Sequence, residues 1–203
     1  MSAVFKPWSR RAALAGIAGL GAAAVGIAPA HAQVKEVEGF RFGSTLRLGG
    51  VDLLLNGVGV RKRFFLPVYV AALYVPQRSA DPEVLLNQRG PRRMSMRFVR
   101  EVEAELFMNS LDVGMRKHYT SEQLAGWQDQ WRTLTSVIGN IVLARRADHV
   151  TWDYTPDTGA RVMQNSVPIV PTMRGEDFYN AVLRVWLGPQ PADAELKKGL
   201  LGT

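Results

Sequence analysis

The sequence has 203 residues, a formal net charge of +7 and no cysteine. This length fits one ordinary domain with a single core. The lack of cysteine excludes disulfides, thiolate catalysis and cysteine metal sites. The positive charge includes no lysine block, so we expect no nucleic-acid partner.

Residues 1–32 have the pattern of a bacterial export signal. Ser9-Arg10-Arg11 carries a twin-arginine pair, an apolar run follows over residues 12–29, and Ala30-His31-Ala32 is a small-x-small cleavage site. A membrane anchor is the alternative, because the run is about long enough to span a bilayer. We expect residues 1–32 to be a twin-arginine-type signal peptide, which leaves a periplasmic domain at residues 33–203 with no stable membrane span.

The first half of this domain predicts strands joined by glycine turns. The predicted strands cover residues 40–48, 51–55 and 63–75. Gly49-Gly50 and Asn56-Gly57 predict the two turns between them. The third strand is apolar on both faces, which is typical of a central strand. Pro67 cannot donate to the ladder, so we expect a bulge or a local edge there.

The second half predicts mostly helices. Its predicted elements are a helix at 81–88, a strand at 92–99, helices with apolar stripes at 106–114 and 124–138, a hairpin of strands 149–155 and 160–166, and two C-terminal helices. Thr120 and Gln123 fit a capping box. Pro191 is expected to begin the last helix, where Asp193 can pair with Lys197. Strands first and helices last predict an α+β fold.

Chemical motifs are few. The chain has no GxGxxG, P-loop or HExxH motif, so we expect no cofactor. His118 and His149 lack ligand-like spacing, so no metal site is expected. The serines lack a GxSxG elbow, which disfavours a hydrolase. A cluster of arginines over residues 89–100 reads as the solvated face of a strand, with a phosphate or anionic-lipid patch as the alternative.

Three stretches together resemble the chalcone isomerase-like family: residues 55–61 (LNGVGVR), residues 64–74 (FFLPVYVAALY) and residues 175–188 (GEDFYNAVLRVWLG), the last continuing to residue 202. The resemblance implies an open-faced β-sandwich, with a large antiparallel sheet, a smaller sheet and a layer of helices on one side. The family includes plant enzymes that close a chalcone to a flavanone, fatty-acid-binding relatives, and exported bacterial members.

The resemblance also implies the site residues. Arg61 matches the arginine that holds the substrate phenolate in the enzymes, and a guanidinium can equally clamp a carboxylate. Tyr69 falls where the enzymes carry a threonine and the fatty-acid binders a tyrosine. Asn109 is the nearest asparagine to the one that the enzymes use, while their further tyrosine has no counterpart here. Eight residues of straight strand would separate Arg61 from Tyr69 by roughly 26 Å, so the chain must turn or bulge between them.

Three functions remain open. The first is binding of a fatty acid or other small apolar carboxylate through Arg61 and Tyr69. The second is an intramolecular lyase that cyclises an enone on a polyphenol-like substrate, with Arg61, Tyr69 and Asn109 as catalytic candidates. The third is a non-catalytic periplasmic partner protein without a small ligand. We expect a monomer in each case.

Overall fold

An antiparallel sheet organises the described part of the chain, which comprises Met1 and residues 34–138 and 143–203 of a computed structural model. The predicted export signal lies outside the described residues, apart from Met1. The chain divides into two units, residues 1–31 and residues 32–203. The strands of the second unit are β1 (Val34–Val37), β2 (Phe40–Gly43), β3 (Thr45–Leu48), β4 (Val51–Arg63), β5 (Leu66–Val75), β6 (Arg92–Phe98), β7 (Val102–Glu103), β8 (Leu143–Ala144), β9 (His149–Thr155), β10 (Gly159–Gln164) and β11 (Val167–Pro168).

Seven of these strands form one sheet in the order β11-β10-β9-β6-β5-β4-β3, and each neighbouring pair runs antiparallel. The helices are α1 (Pro82–Asn87), α2 (Ala104–Arg116), α3 (Ser121–Ala125), α4 (Gln128–Ile138), α5 (Glu176–Leu187) and α6 (Ala194–Leu201). None of the described helices is long and apolar enough to cross a membrane.

The two faces of the sheet bury different partners. On one face, Leu73, Met94 and Trp152 belong to a large core with the apolar side of α5. On the other face, Val70, Ala72 and Tyr74 form a smaller core with Phe42 of the β1–β2 hairpin. The Tyr74 hydroxyl donates to the Gly43 carbonyl at 3.1 Å and so ties that hairpin to the sheet. The predicted α+β fold, an open-faced sandwich with one layer of helices, is confirmed.

The turn predicted at Asn56-Gly57 is wrong, because β4 runs straight through it. The register with β5 shifts between Leu55 and Gly57, so Asn56 is an extra residue in the ladder. The Asn56 amide donates to the Leu200 carbonyl at 2.7 Å and binds the backbone of Ser79. A Cβ atom on Gly57 would lie 2.2 Å from the Gly199 oxygen of α6. The glycine therefore permits close packing of helix on strand.

The chain reverses at Phe64-Phe65 instead. Both residues have left-handed backbone angles, with φ of 49° and 66°, which are typical of a type I′ two-residue hairpin turn. The strand predicted over residues 63–75 therefore begins at Leu66, just after the turn. The register shifts a second time where Arg61 pairs with Tyr69 but Lys62 pairs with Pro67, which leaves Val68 without a partner residue in β4. The bulge predicted beside Pro67 is confirmed.

Other predicted boundaries need correction. Residues 40–48 are two strands, because β2 pairs with β1 whereas β3 joins the large sheet. The last helix begins at Ala194 rather than at Pro191, and Asp193 is its N-cap. The side chain of Lys197 does not pair with the Asp193 carboxylate, because its ammonium donates to the Gly188 carbonyl at 2.9 Å. The capping box of Thr120 and Gln123 is confirmed at the start of α3.

The prediction that the arginines of residues 89–100 lie on the solvated face of a strand is wrong for Arg92. Its side chain is fully buried and donates to Asn180 and to the carboxylate of Glu176. The guanidinium also lies over the rings of Tyr154 and Tyr179, at 5.3 and 5.1 Å from their centroids. A cation paired, hydrogen-bonded and held between two aromatic rings can be buried at a tolerable cost.

Candidate ligand-binding cleft

The β4–β5 hairpin brings Arg61 and Tyr69 together. They are direct partners across the two strands, because the turn at Phe64-Phe65 folds the chain back on itself. Direct partners in an antiparallel pair project to the same face of the sheet. Here that face is the helix side, since Tyr69 belongs to the core that contains α5. The separation expected for a straight strand therefore does not arise.

Tyr69 is buried and neutral, and its hydroxyl proton remains free to be donated. Its side chain is 5% exposed, and its hydroxyl oxygen accepts a hydrogen bond from the Trp186 indole N–H at 2.9 Å. Burial raises the pKa of Tyr69 to about 12, although the bond from Trp186 and the charge of Arg61 oppose the rise. No described residue accepts the Tyr69 hydroxyl proton. That proton is therefore available to a ligand in the cleft.

Arg61 is oriented by the N-terminus of α6. Its Nη1 donates to the Asp193 carboxylate at 3.1 Å. The same carboxylate accepts the Lys62 N–H at 3.2 Å and caps α6 through the Leu196 N–H at 3.0 Å. Burial raises the pKa of Asp193, but these hydrogen bonds outweigh burial and leave the pKa below its ordinary value. The Nε and Nη2 groups of Arg61 have no partner among the described residues, so they remain free to bind an anion.

A cleft of about 320 Å³ opens beside this pair, between the hairpin, α2 and α5. Its charged and polar lining residues are Arg61, Arg63, Arg100, Glu101, Glu103 and Ser110. Its apolar lining includes Val68, Leu106, Phe107, Leu111 and Trp186. Arg100 is half-buried, and within the described residues it has no ion-pair partner. The cleft therefore offers a second guanidinium besides that of Arg61, together with the carboxylates of Glu101 and Glu103 in the same lining.

An apolar cavity of about 70 Å³ adjoins the cleft. The two spaces share Val102, Phe107, Leu111 and Trp186 in their walls. The cavity continues between the sheet and α2, where Met96, Phe98 and Met108 are among its lining residues. Methionine side chains adapt easily to a guest because they are unbranched and have three rotatable bonds. A polar-mouthed cleft with an apolar extension suits a molecule with one anionic end and an apolar tail.

Asn109 does not join Arg61 and Tyr69. It is exposed on α2, whereas the cleft is lined by its neighbours Leu106, Phe107 and Ser110. Sequence reasoning missed Trp186, Arg100 and Ser110 as cleft residues. Trp186 left a signal as part of the apolar stripe of α5, but that stripe indicated core packing rather than a hydrogen bond to a tyrosine. Arg100 left one as part of the arginine cluster, which was interpreted mainly as a solvated strand face.

A family model described as chalcone isomerase-like matches residues 34–202. The chain belongs to the chalcone isomerase-like family. The crystal structure of a fatty-acid binding protein from Arabidopsis thaliana is similar, with a TM-score of 0.65 and 14% sequence identity, over 83% of this chain and 96% of that chain. At this identity the likeness concerns the fold alone. A comparison with curated proteins found no match.

Membership of the chalcone isomerase-like family confirms the resemblance inferred from the three sequence stretches. All three lie within the matched residues. Two of them form the β4–β5 hairpin that carries Arg61 and Tyr69, and the third forms α5 with Trp186. Their roles in this chalcone isomerase-like chain, and that of Asn109, stay predictions. The described residues contain no group of three side chains that is suited to hold a metal ion.

Proposed function

We propose that this chain binds a fatty acid or a similar apolar carboxylate in the periplasm, and that Arg61 and Tyr69 hold the carboxylate. The observation that carries the proposal is the cross-strand pairing of Arg61 with Tyr69 at the mouth of a cleft with an apolar extension. The similar fold of a plant fatty-acid binding protein supports it. The export signal pattern at residues 9–32 supports the location.

The chemistry of the mouth fits a carboxylate. Arg61 offers Nε and Nη2, which lie on one edge of the guanidinium and match the two oxygens of a carboxylate. Tyr69 offers a hydroxyl proton, because Trp186 occupies only its oxygen. Hydrogen bonds to a charged group are stronger than neutral ones, so these donors favour the ionised acid over its ester. Arg100 adds a further positive charge to the lining, which also contains Glu101 and Glu103.

The apolar extension fits a hydrocarbon tail. The cavity beyond Phe107 and Leu111 is lined almost entirely by apolar side chains of the sheet and the helices, with Thr151 and Gln164 as the polar exceptions. Each methylene that leaves water contributes about 0.8 kcal/mol. The tail would therefore add to the affinity, and the carboxylate would fix the orientation.

The test begins with native mass spectrometry of protein released from the periplasm, followed by lipid extraction. Delipidated protein is then titrated with a saturated fatty acid and with its methyl ester by calorimetry. Arg61→Gln should weaken acid binding by about 1.5–3 kcal/mol, roughly tenfold to a hundredfold. The ester should bind the wild type and the variant alike, since it carries no charge for Arg61 to hold.

Arg47→Gln is the matched control. Arg47 also lies on a strand and also pairs with an aspartate, Asp52, at 3.1 Å, but it is exposed and lines neither space. Equal loss of affinity in both variants, or no acid binding by the wild type, would refute the proposal. Turnover of a chalcone that disappears in Arg61→Gln would support the cyclising lyase instead. Failure of both assays would favour the partner protein without a small ligand.

A further inference from the structure

The tip of the β4–β5 hairpin carries three consecutive exposed apolar side chains. Phe64, Phe65 and Leu66 are 81%, 96% and 57% exposed. No other aromatic side chain among the described residues is exposed to this degree. Single apolar residues at a surface are ordinary, but adjoining ones that include two phenylalanines mark an interaction site.

The backbone at the tip is unfavourable for these residues. Bulky residues rarely adopt the left-handed angles found at Phe64 and Phe65, and Asn-Gly would form the same turn with less strain. Local folding therefore gives no reason for two phenylalanines here. Such strained positions concentrate at functional sites.

The flanking charge indicates the partner. Lys62 and Arg63 are exposed, and the Arg63 guanidinium lies over the Phe64 ring at 5.5 Å from its centroid. No acidic residue occurs in the sequence between Asp52 and Asp81. Aromatic side chains beside lysine and arginine suit the surface of an anionic bilayer, where the rings enter the headgroup region and the cations meet lipid phosphates. A bilayer surface also needs no groove shaped to fit the tip.

We propose that Phe64, Phe65 and Leu66 insert into the surface of an anionic phospholipid bilayer. Arg63 both covers Phe64 and lines the ligand cleft, so the bilayer would lie against the cleft mouth. The inference rests on the proposed function in one respect: a bound acid would then exchange directly with the membrane. Insertion of the tip itself is a separate property and is tested separately.

The experiment is flotation of the periplasmic protein with two kinds of vesicle. One contains phosphatidylethanolamine and phosphatidylglycerol, and the other contains phosphatidylcholine alone. The double variant Phe64→Asn with Phe65→Gly removes both rings and keeps a sequence that suits the turn. We expect the wild type to float with the anionic vesicles, and a smaller fraction of it to float in high salt. The double variant should bind these vesicles at least roughly tenfold more weakly.

The matched control is Val167→Asn. Val167 is 61% exposed but lies in β11, at the opposite edge of the sheet from the β4–β5 hairpin. Its variant should float like the wild type. Lys62→Gln should weaken binding to anionic vesicles and leave binding to phosphatidylcholine unchanged. Thermal unfolding of each variant confirms that it is folded.

Three results would overturn the inference. They are the absence of wild-type binding to anionic vesicles, equal binding by the double variant, and a tip-dependent dimer in light scattering without vesicle binding. Fatty-acid titration in solution separates this inference from the proposed function, since the double variant should keep wild-type affinity. Vesicle binding without acid binding would refute only the proposed function. Acid binding without vesicle binding would refute only the membrane contact.

Discussion

The indole N–H of Trp186 donates to the hydroxyl oxygen of Tyr69 at 2.9 Å, across 117 positions of the chain. Both side chains are buried. Tryptophan can only donate, so the bond fixes the direction of the tyrosine hydroxyl and leaves its proton for another acceptor. The relationship joins the core helix α5 to the ligand cleft.

Tyr69→Phe should therefore affect both binding and stability. The change removes one of the donors proposed to hold the carboxylate, and we expect about tenfold weaker fatty-acid binding. It also leaves the Trp186 N–H buried without a partner, which costs about 1–3 kcal/mol of unfolding free energy. Calorimetric titration and urea unfolding measure the two effects. The double variant Tyr69→Phe with Trp186→Phe should lose less stability than the sum of the single variants, because it has no unpaired N–H. Additive losses would contradict the hydrogen bond.

Asp193→Asn should change how stability depends on pH. The folded pKa of Asp193 lies below its ordinary value of 3.8, so the ionised carboxylate stabilises the fold above that pH. This contribution disappears as the pH falls through the lower, folded pKa. We expect the variant to be less stable than the wild type by about 1 kcal/mol at pH 7 and less sensitive to acid below about pH 4. Arg61→Gln should reproduce only part of the change, since Arg61 supplies one of several hydrogen bonds. Parallel acid-unfolding curves for wild type and Asp193→Asn would refute it.

Gly57→Ala tests the contact between β4 and α6. An added Cβ would meet backbone oxygens of Gly199 and Leu200 at 2.2 and 2.6 Å, and neither atom can move without displacing the helix. We expect a loss of about 3 kcal/mol in unfolding free energy. Gly126→Ala is the control, because its Cβ would approach only the Gln123 oxygen, at 3.2 Å. Similar unfolding midpoints for the two variants would show that α6 does not pack as described.

His149 should be neutral at pH 7. Burial, followed by the charges of Arg97 and Arg93, lowers its pKa to about 4, and its Nε2 lies 2.8 Å from the Ser95 hydroxyl. The nearby Asp153 opposes the decrease. The unfolded chain takes up this proton near pH 6.5, so stability should fall as the pH decreases from about 6.5 to about 4. A nuclear magnetic resonance titration of the ring measures the pKa directly. His149→Gln should flatten the stability curve in that interval, and a ring pKa near 6.5 would contradict the prediction.

The sequence predicted the fold best where the signals are local. The β9–β10 hairpin follows its turn residues, and α5 follows its apolar stripe. The turn predicted at Asn56-Gly57 is wrong because the glycine serves a long-range contact: it lets the backbone of α6, more than 140 residues away in the chain, approach β4 closely. Phe64-Phe65 gave no turn signal, since neither residue favours left-handed angles.

The site was predicted only in part for the same reason. The resemblance to a family indicated Arg61 and Tyr69, but their pairing depends on the turn between them, which the sequence did not reveal. Asp193 was expected to pair with Lys197, one helical turn away, and instead contacts Arg61 across 132 positions. Long-range partners such as Trp186 and Asp193 follow from how the last two helices pack, and no short sequence pattern contains that information.

The cavity behind the cleft has consequences for which acids the chain would select. Its lining includes the sheet residues Trp152 and Val162, which do not yield readily, and the methionines Met96 and Met108, which can change rotamer. A cavity that has both rigid and adaptable residues in its lining would limit the length of the acyl tail gradually rather than sharply. Affinity should rise with each added carbon until the tail fills the cavity and then level off gradually. The chain would then accept a range of chain lengths, and a mixed pool of acids would be its natural cargo.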